Sequence, residues 1–557
     1  MTPTFLLRFR ARTLALLSSL CLLLVPSLHA QGTGLVLPGD LIYTDIERLA
    51  ELGVLDSTIL GQRPYSRREI ARIARIVRAR LERHESRRMF NEDVETYADG
   101  LLAHLERFAD DEGTGIFEPR LAIVDGGSLT FSSTDADRRG FPAAHTRPTE
   151  ATIEPLAERR LGMPAVRGRT TALEAYHRAE PTSWLAVQLG ERVELRSPND
   201  TTLQRSTAEL LIASVRARYR NAALTIGRQQ FAWAQSAGDG LFLASDAPAL
   251  DQISLAGDHP FVLPSVLRLL GPTQATIILA DLGASVARSH SKLLTYKVTV
   301  HPSALVELGG TFMDHYGGSG ARKASASDQL IDFLPFIDVF RTHNYRDSTR
   351  SLDVDSDKIL GVDGRLRLPA LGGLVLAGEL LIDDFDVNRI PKLLTGYGSQ
   401  TLAIILPRLG SPALSMKLSV KHMGIITYSH GDLRNGTTTR GRLLGDELGT
   451  DAKSYSAQLR WNPSASTRFE LEGRSAIHSN ANYLATYPDP GGTRYVVTKV
   501  SRTADELRDL IFASAVIQGD DGIALTMRAG GERIRNASFQ GGRRRDYIAQ
   551  VGLRIGQ

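Results

Sequence analysis

The stretch Leu224-Thr225-Ile226-Gly227-Arg228-Gln229-Gln230-Phe231-Ala232-Trp233 runs into a Gly238-Asp239-Gly240 turn and then Leu241-Phe242-Leu243-Ala244-Ser245-Asp246-Ala247-Pro248. It opens with the alternation of a β-strand and ends as a loop. Leu224, Ile226 and Arg228 alternate with Thr225, Gly227 and Gln229, so an arginine and a glutamine are carried where a soluble strand presents a dry core face. A polar wall inside a barrel would accept both.

Working outward from this stretch, the period-two pattern holds from Asp110-Asp111-Glu112-Gly113 to the end of the chain. The clearest strands are expected at 184–195, 209–219, 275–282, 293–301, 306–313, 360–368, 374–382, 402–409, 415–422, 455–461, 468–473, 511–517, 523–528 and 547–555. At roughly 24 residues per strand and connector, the residues after 112 make about 18 strands, an even number as closed bacterial barrels require. A sheet that long must close or split. Closure inside a membrane is favoured because each unpaired edge amide in hydrocarbon costs several kcal/mol. No blade repeat of a propeller is visible. The fold class expected is mainly β, a large closed antiparallel transmembrane β-barrel preceded by a small α-helical domain.

The helical part is expected over residues 31–112 and the barrel over 113–557. Before them, Arg8, Arg10 and Arg12 precede an apolar run from Leu14 to Val25 and a small-residue site ending at Ala30, the layout of a secretory signal peptide over 1–30. The first helix follows Asp40 and stops at Gly53. The second opens at Ser66 with Glu69 as a capping box and presents Arg72, Arg75, Arg78 and Arg80 on its outer face. A third, 92–108, turns Val94, Leu101, Leu105 and Phe108 inward. These helices are expected on the periplasmic side, blocking the lumen.

Composition narrows the function. Among 557 residues, 23% are charged and the net charge is only +4, too diffuse for a nucleic-acid partner. The single cysteine, Cys21, lies in the leader, which leaves no disulfide and no thiolate metal site. Mean hydropathy is slightly negative and no long apolar run follows residue 30, a profile a β-barrel shares.

The Gly227-Arg228-Gln229 strand leading through Trp233 to Ser245-Asp246-Ala247-Pro248 resembles the Wzi family of capsule assembly proteins. So does a second, later segment: Tyr428-Ser429-His430-Gly431, then Arg440-Gly441-Arg442-Leu443-Leu444-Gly445-Asp446. Weaker echoes lie at 312–320 and 344–365. The resemblance implies an outer-membrane β-barrel that assembles capsular or other exported polysaccharide at the cell surface, with outer-membrane lipids and the export machinery as further partners.

Charged connectors at 134–179, 319–350, 431–453 and 479–505 are the expected outer loops, where binding is expected. The candidate polysaccharide contacts are Arg228, Arg346, Arg440 and Arg442, for charge-assisted bonds to acidic sugars, and Trp233, Tyr316 and Tyr428, for stacking on sugar faces. The competing structural reading pairs the arginines with lumen carboxylates. Asp353, Asp355 and Asp357 open like a calcium loop, but Lys358 takes the glycine position and Gly364 that of the bidentate glutamate. Asp383-Asp384-Phe385-Asp386 reads as a strand terminus. No nucleophile elbow or zinc-helix motif is present, and Ser429 and His430 are adjacent, on opposite faces of a strand. No metal, cofactor or catalysis is therefore expected. The leading expectation is a lectin-like anchor with a blocked lumen; the alternative is a porin-like channel.

Overall fold

The computed structural model describes residues 34–87, 91–112, 118–136, 139–140, 152–153, 167–198, 205–235, 240–284, 288–321, 356–383, 398–428, 436–479, 481–486, 496–501 and 504–556. The leader expected at 1–30 lies outside them. Eighteen long antiparallel strands close into one barrel. They are β1 (Arg120–Thr134), β2 (Gly168–Thr182), β3 (Leu185–Pro198), β4 (Ser206–Tyr219), β5 (Ala222–Gln229), β6 (Leu250–Gly257), β7 (Pro272–Asp281), β8 (Lys292–Ser303) and β9 (Val306–Tyr316). After them come β10 (Ser356–Leu368), β11 (Leu374–Ile382), β12 (Ser399–Leu406), β13 (Leu414–Met423), β14 (Ala452–Ser464), β15 (Thr467–His478), β16 (Glu506–Gln518), β17 (Ile523–Arg535) and β18 (Arg543–Ile555).

Closure is made where β18 pairs with β1, from Ile548 opposite Thr134 to Ile555 opposite Gly127. Among the described residues no long strand of the barrel is left with a free edge. The walls alternate over most of their length, broken at a few bulges. On β5, Leu224 and Ile226 are exposed on the outside while Thr225 and Gln229 are buried within. Around the ring, Leu173, Val193, Val215, Ile253, Ile277, Val362, Leu402, Leu471, Ile511 and Leu553 lie exposed, an apolar outer face fit for lipid. Aromatic residues border it: Trp184, Tyr219, Trp461 and Phe469 near the short turns, Tyr455 and Tyr547 near the long loops.

Three strands were not expected from the sequence: β1, β2 and β6. The connector expected at 134–179 contains most of β2, whose inner face carries Glu174, Tyr176, Arg178 and Glu180, so neither face reads as apolar. The connector at 479–505 holds its own hairpin, Ala481–Thr486 with Val496–Ser501.

Helices α1 (Ile42–Leu52), α2 (Arg67–Arg87) and α3 (Glu92–Glu106) sit at the short-turn end. Gly53 caps α1 at φ 79°, and Ser66 Oγ accepts the Glu69 N–H at 3.2 Å, as the capping box requires. The basic face of α2 is paired: Arg72 with Glu69, Arg78 with Glu106, Arg80 with Asp56. His104 is buried against Asp45 at 2.9 Å.

The helices are tied to the wall mainly through backbone groups. Arg48 donates to the Pro407 and Pro412 carbonyls, and Arg367 reaches the carbonyls of Glu51 and Leu52. The segment before α2 enters the lumen, where Glu307 accepts the Leu60 and Gly61 N–H groups at 2.9 and 2.8 Å. Gln188 exchanges hydrogen bonds with the Leu35 backbone, and Glu180 accepts the Gly34 N–H. Polar lumen residues thus serve as the missing partners of a plug with little secondary structure of its own.

Replacing Glu307 by alanine leaves two buried amides without acceptors, each worth about 1–3 kcal/mol. The expected result is a lower denaturant midpoint for the detergent-folded protein with the strand signal unchanged before the transition. A midpoint equal to wild type would mean that the segment is not held there.

Candidate functional site

From the long-loop end a second plug descends. After Gln229 the chain turns into the barrel: Ala232 exchanges both backbone hydrogen bonds with Arg63 at 2.8 and 3.0 Å, so the outer loop and the helical plug meet as a β-bridge. Gln235 reaches further, donating its backbone N–H to Glu379 and its side-chain amide to Glu307 and Asp363. Asp363 also binds Lys297 at 2.6 Å.

The three residues that open the motif each have a mechanical task. Gly227 adopts φ 112°, and a Cβ there would lie 2.2 Å from the Ala213 carbonyl oxygen, so only glycine fits. Gln229 is buried and accepts from the Ser214 hydroxyl. Arg228 does not line the lumen as expected. Strand parity turns it to the outside with Leu224 and Ile226, where it holds Asp251 of β6 through two 2.6 Å bonds. Gln230 then pins the Ser245 and Ala247 carbonyls, fixing the Ser-Asp-Ala-Pro turn.

The two resembling segments, far apart in sequence, form one core in the barrel mouth. Trp233, Leu241, Phe242 and Leu243 pack with Tyr428, Leu443, Leu444 and Leu448 against inward residues such as Ile278, Leu293, Met313 and Ile359. Trp233 and Tyr428 are each 1% exposed, so neither can stack on a sugar. The Tyr428 hydroxyl donates to the Leu241 carbonyl at 2.5 Å and accepts the Asp446 N–H at 3.0 Å, while Asp383 accepts the Tyr428 N–H. Burial raises the phenol's pKa well above its ordinary value. Gly445 is required because a Cβ would stand 2.4 Å from the Tyr428 ring. The Ala244 N–H donates to the Leu444 carbonyl, stitching the two loops together.

Arg440 and Arg442 lie above this core. Arg440 and Gly441, both at positive φ, turn a short hairpin from Thr438–Thr439 to Arg442–Leu443, which is extended by Thr152–Ile153 and Arg139–Gly140 into a small four-stranded cap. Both guanidinium groups reach a single carboxylate, Glu209 on β4, at 3.5 and 3.3 Å. Arg192 on β3 stands 3.9 Å from the same carboxylate and is held by Glu174, while Arg196 is paired with Glu194. Burial, with Arg228 and Arg442 nearby, lowers the Arg440 pKa to about 10, so it stays charged at neutral pH. Two cations on one carboxylate leave excess positive charge at a mouth where both side chains keep about a fifth of their surface.

Tyr316 ends β9, half-buried, four strands around the ring from β5. Arg346 lies outside the described residues, as do Asp353, Asp355, Asp384, Phe385, Asp386, Ser429 and His430. Asp357 faces inward on β10. The mouth group thus unites Arg440 and Arg442 with Glu209, Arg192, Glu194 and Arg196. The last four were not read from the sequence, although Arg192, Glu194 and Arg196 alternate with Val193 and Leu195 and so mark one polar face.

The Tyr428 and Gly445 fit predicts coupled effects. Tyr428→Phe is expected to cost about 1–3 kcal/mol through the lost hydroxyl bonds, and Gly445→Ala more, through overlap with the ring. In the Tyr428→Leu, Gly445→Ala double variant the overlap is relieved, so unfolding in detergent is expected to show a loss smaller than the sum. Strict additivity would contradict the contact.

Residues 146–391 match the family model described as capsule assembly protein Wzi. No curated protein matches the chain. Among solved structures, the fold is similar to that of Wzi from Escherichia coli, described as an outer membrane protein involved in group 1 capsule assembly and a carbohydrate-binding β-barrel. The TM-score is 0.63 at 15% identity, covering 94% of this chain and 100% of that one. OccAB1 of Acinetobacter baumannii is matched more loosely, with a TM-score of 0.41 at 10% identity over 78% of this chain and 97% of that one, too loose to carry an argument. Residues 146–391 are thus similar in sequence to the Wzi family of capsule assembly proteins, and the fold over nearly the whole length is similar to that of a Wzi barrel.

Proposed function

We propose that this protein sits in the outer membrane and holds capsular or other exported polysaccharide at the cell surface, acting as a lectin-like anchor. The observation that carries the reading is the meeting, below a cationic mouth, of segments that enter the barrel from both ends. A plug entering from each end, joined at Arg63 and Ala232, leaves binding at the rim as the natural use of the barrel and argues against a diffusion channel. The relation to capsule assembly proteins supports the same conclusion and gives no support to catalysis.

In this reading the short turns and helices face the periplasm and the long loops face outward. An acidic polysaccharide meets Arg440 and Arg442, whose shared carboxylate satisfies one cation and leaves the second available for a sugar carboxylate. Trp233 and Tyr428 act indirectly, by holding the core on which the arginine hairpin rests. Arg228 keeps β5 and β6 together from the outside.

Three measurements test this. Deleting the gene is expected to release polysaccharide from the cell surface; an unchanged cell-attached amount would overturn the function. Arg440→Gln with Arg442→Gln is expected to weaken retention of acidic polysaccharide about tenfold, as for two exposed charge-assisted contacts, while Arg228→Ala leaves retention at the wild-type level. Equal retention by both variants would return Arg440 and Arg442 to a purely structural role. In planar bilayers the full chain is expected to show no steady current, and large open steps would favour the channel.

A further inference from the structure

On the outer wall, β17 and β18 carry arginines that face each other across the strand pair. Arg533 lies directly opposite Arg545, and Arg535 directly opposite Arg543. All four side chains are exposed, and strand parity points them outward with Met527, Val551 and Leu553. Like charges facing each other across a strand pair destabilise it. Elsewhere at this end the barrel sets a carboxylate across from the cation: Asp251 opposite Arg228, and Asp281 opposite Lys292.

At the β17 and β18 site the described carboxylate is Asp509, which is opposite Arg533 in register, accepts from Arg535 at 3.3 Å and is also bound by Ser475. Among the described residues no carboxylate pairs with Arg533, Arg543 or Arg545. Among the described residues the four guanidinium groups therefore share one paired carboxylate, since Asp135 and Asp505 nearby accept instead from the Tyr547 N–H and the Ser479 hydroxyl.

The height of the cluster bears on what can neutralise it. Arg545 is two residues beyond Tyr547, the exposed aromatic residue that borders the apolar belt, and so stands about 7 Å above it, at the level of lipid headgroups. The connector 536–542 does not cover it. Its turn is pinned low, with Asn536 accepting the Gly541 N–H at 2.7 Å and donating its amide back to the Ala504 and Asp505 carbonyls.

We propose that Arg533, Arg535, Arg543 and Arg545 form a binding site for the phosphate groups of an outer-leaflet lipid headgroup, a phosphorylated glycolipid seated against β17 and β18 with its acyl chains along Met527, Val551 and Leu553. Paired guanidinium forks match phosphate oxygens bidentately. The site is separate from the mouth, where Arg440 and Arg442 point into the lumen. It rests on the reading of this wall as lipid-facing.

The full-length protein is inserted into phosphatidylcholine vesicles containing lipopolysaccharide, extracted in mild detergent, and the lipopolysaccharide retained per barrel is measured. The variant carrying Arg533→Gln, Arg535→Gln, Arg543→Gln and Arg545→Gln is expected to retain about tenfold less. The pair Arg533→Gln and Arg545→Gln is expected to show an intermediate loss and serves if the fourfold variant does not insert. Dephosphorylated lipopolysaccharide is expected to be retained no better by wild type than by the variant, and neither inorganic phosphate nor soluble acidic polysaccharide is expected to displace the lipid. Equal retention by wild type and variants, indifference to dephosphorylation, or displacement by free phosphate or polysaccharide would each overturn the site. Failure of the wild type to resist alkaline extraction would instead overturn the membrane reading itself.

Discussion

A ring of eighteen strands encloses more space than its own side chains can fill, and that surplus lumen is the constraint on which the rest of the structure depends. A polar wall facing an empty space would hold water and conduct. Here the wall faces protein, and its Glu180, Gln188, Thr299 and Glu307 side chains bind the plug directly, three of them through backbone amides. The plug needs the wall as much as the wall needs the plug, because residues 55–66 have few partners of their own.

The second consequence is the fate of wall charges. Several inward arginines are matched to nearby carboxylates: Arg178 with Asp125 and Glu180, Arg192 with Glu174, Arg216 with Asp258, Arg508 with Glu506 and Glu532. Breaking one such buried pair costs about 3–5 kcal/mol, so these groups are committed to holding the barrel. Among the described residues, pairing with carboxylates is incomplete at Arg440 and Arg442 in the mouth and at the arginines of β17 and β18 on the outside.

Much of the barrel was legible because alternation reports a wall with lipid on one side. Strands such as β11, with Val375, Ala377 and Glu379 turned inward, read directly from the pattern. β2 did not, because Glu174 and Arg178 inside and His177 outside blur both faces. The motif around Arg228 was read as lumen wall, which the phase of β5 does not allow for Arg228. Its phase within β5 decides whether Arg228 or Gln229 faces inward, and outward Leu224 and Ile226 settle that Gln229 does. Likewise Trp233 and Tyr428 are aromatic and loop-borne, which suggests sugar stacking. That they meet in a dry core depends on two loops folding into the lumen together, a long-range fact that local periodicity does not carry.

The junction of the two plugs is where this account is most exposed. Amide hydrogen exchange in the folded, full-length barrel reads it directly at Leu60 and Gly61, whose N–H groups donate to Glu307, and at Arg63 and Ala232, whose N–H groups each donate to the other's carbonyl. The account requires protection at these four amides comparable to that of the barrel strands. Exchange within seconds, as for a solvated loop, would mean that the lumen is open and that the molecule is a pore with a tethered domain.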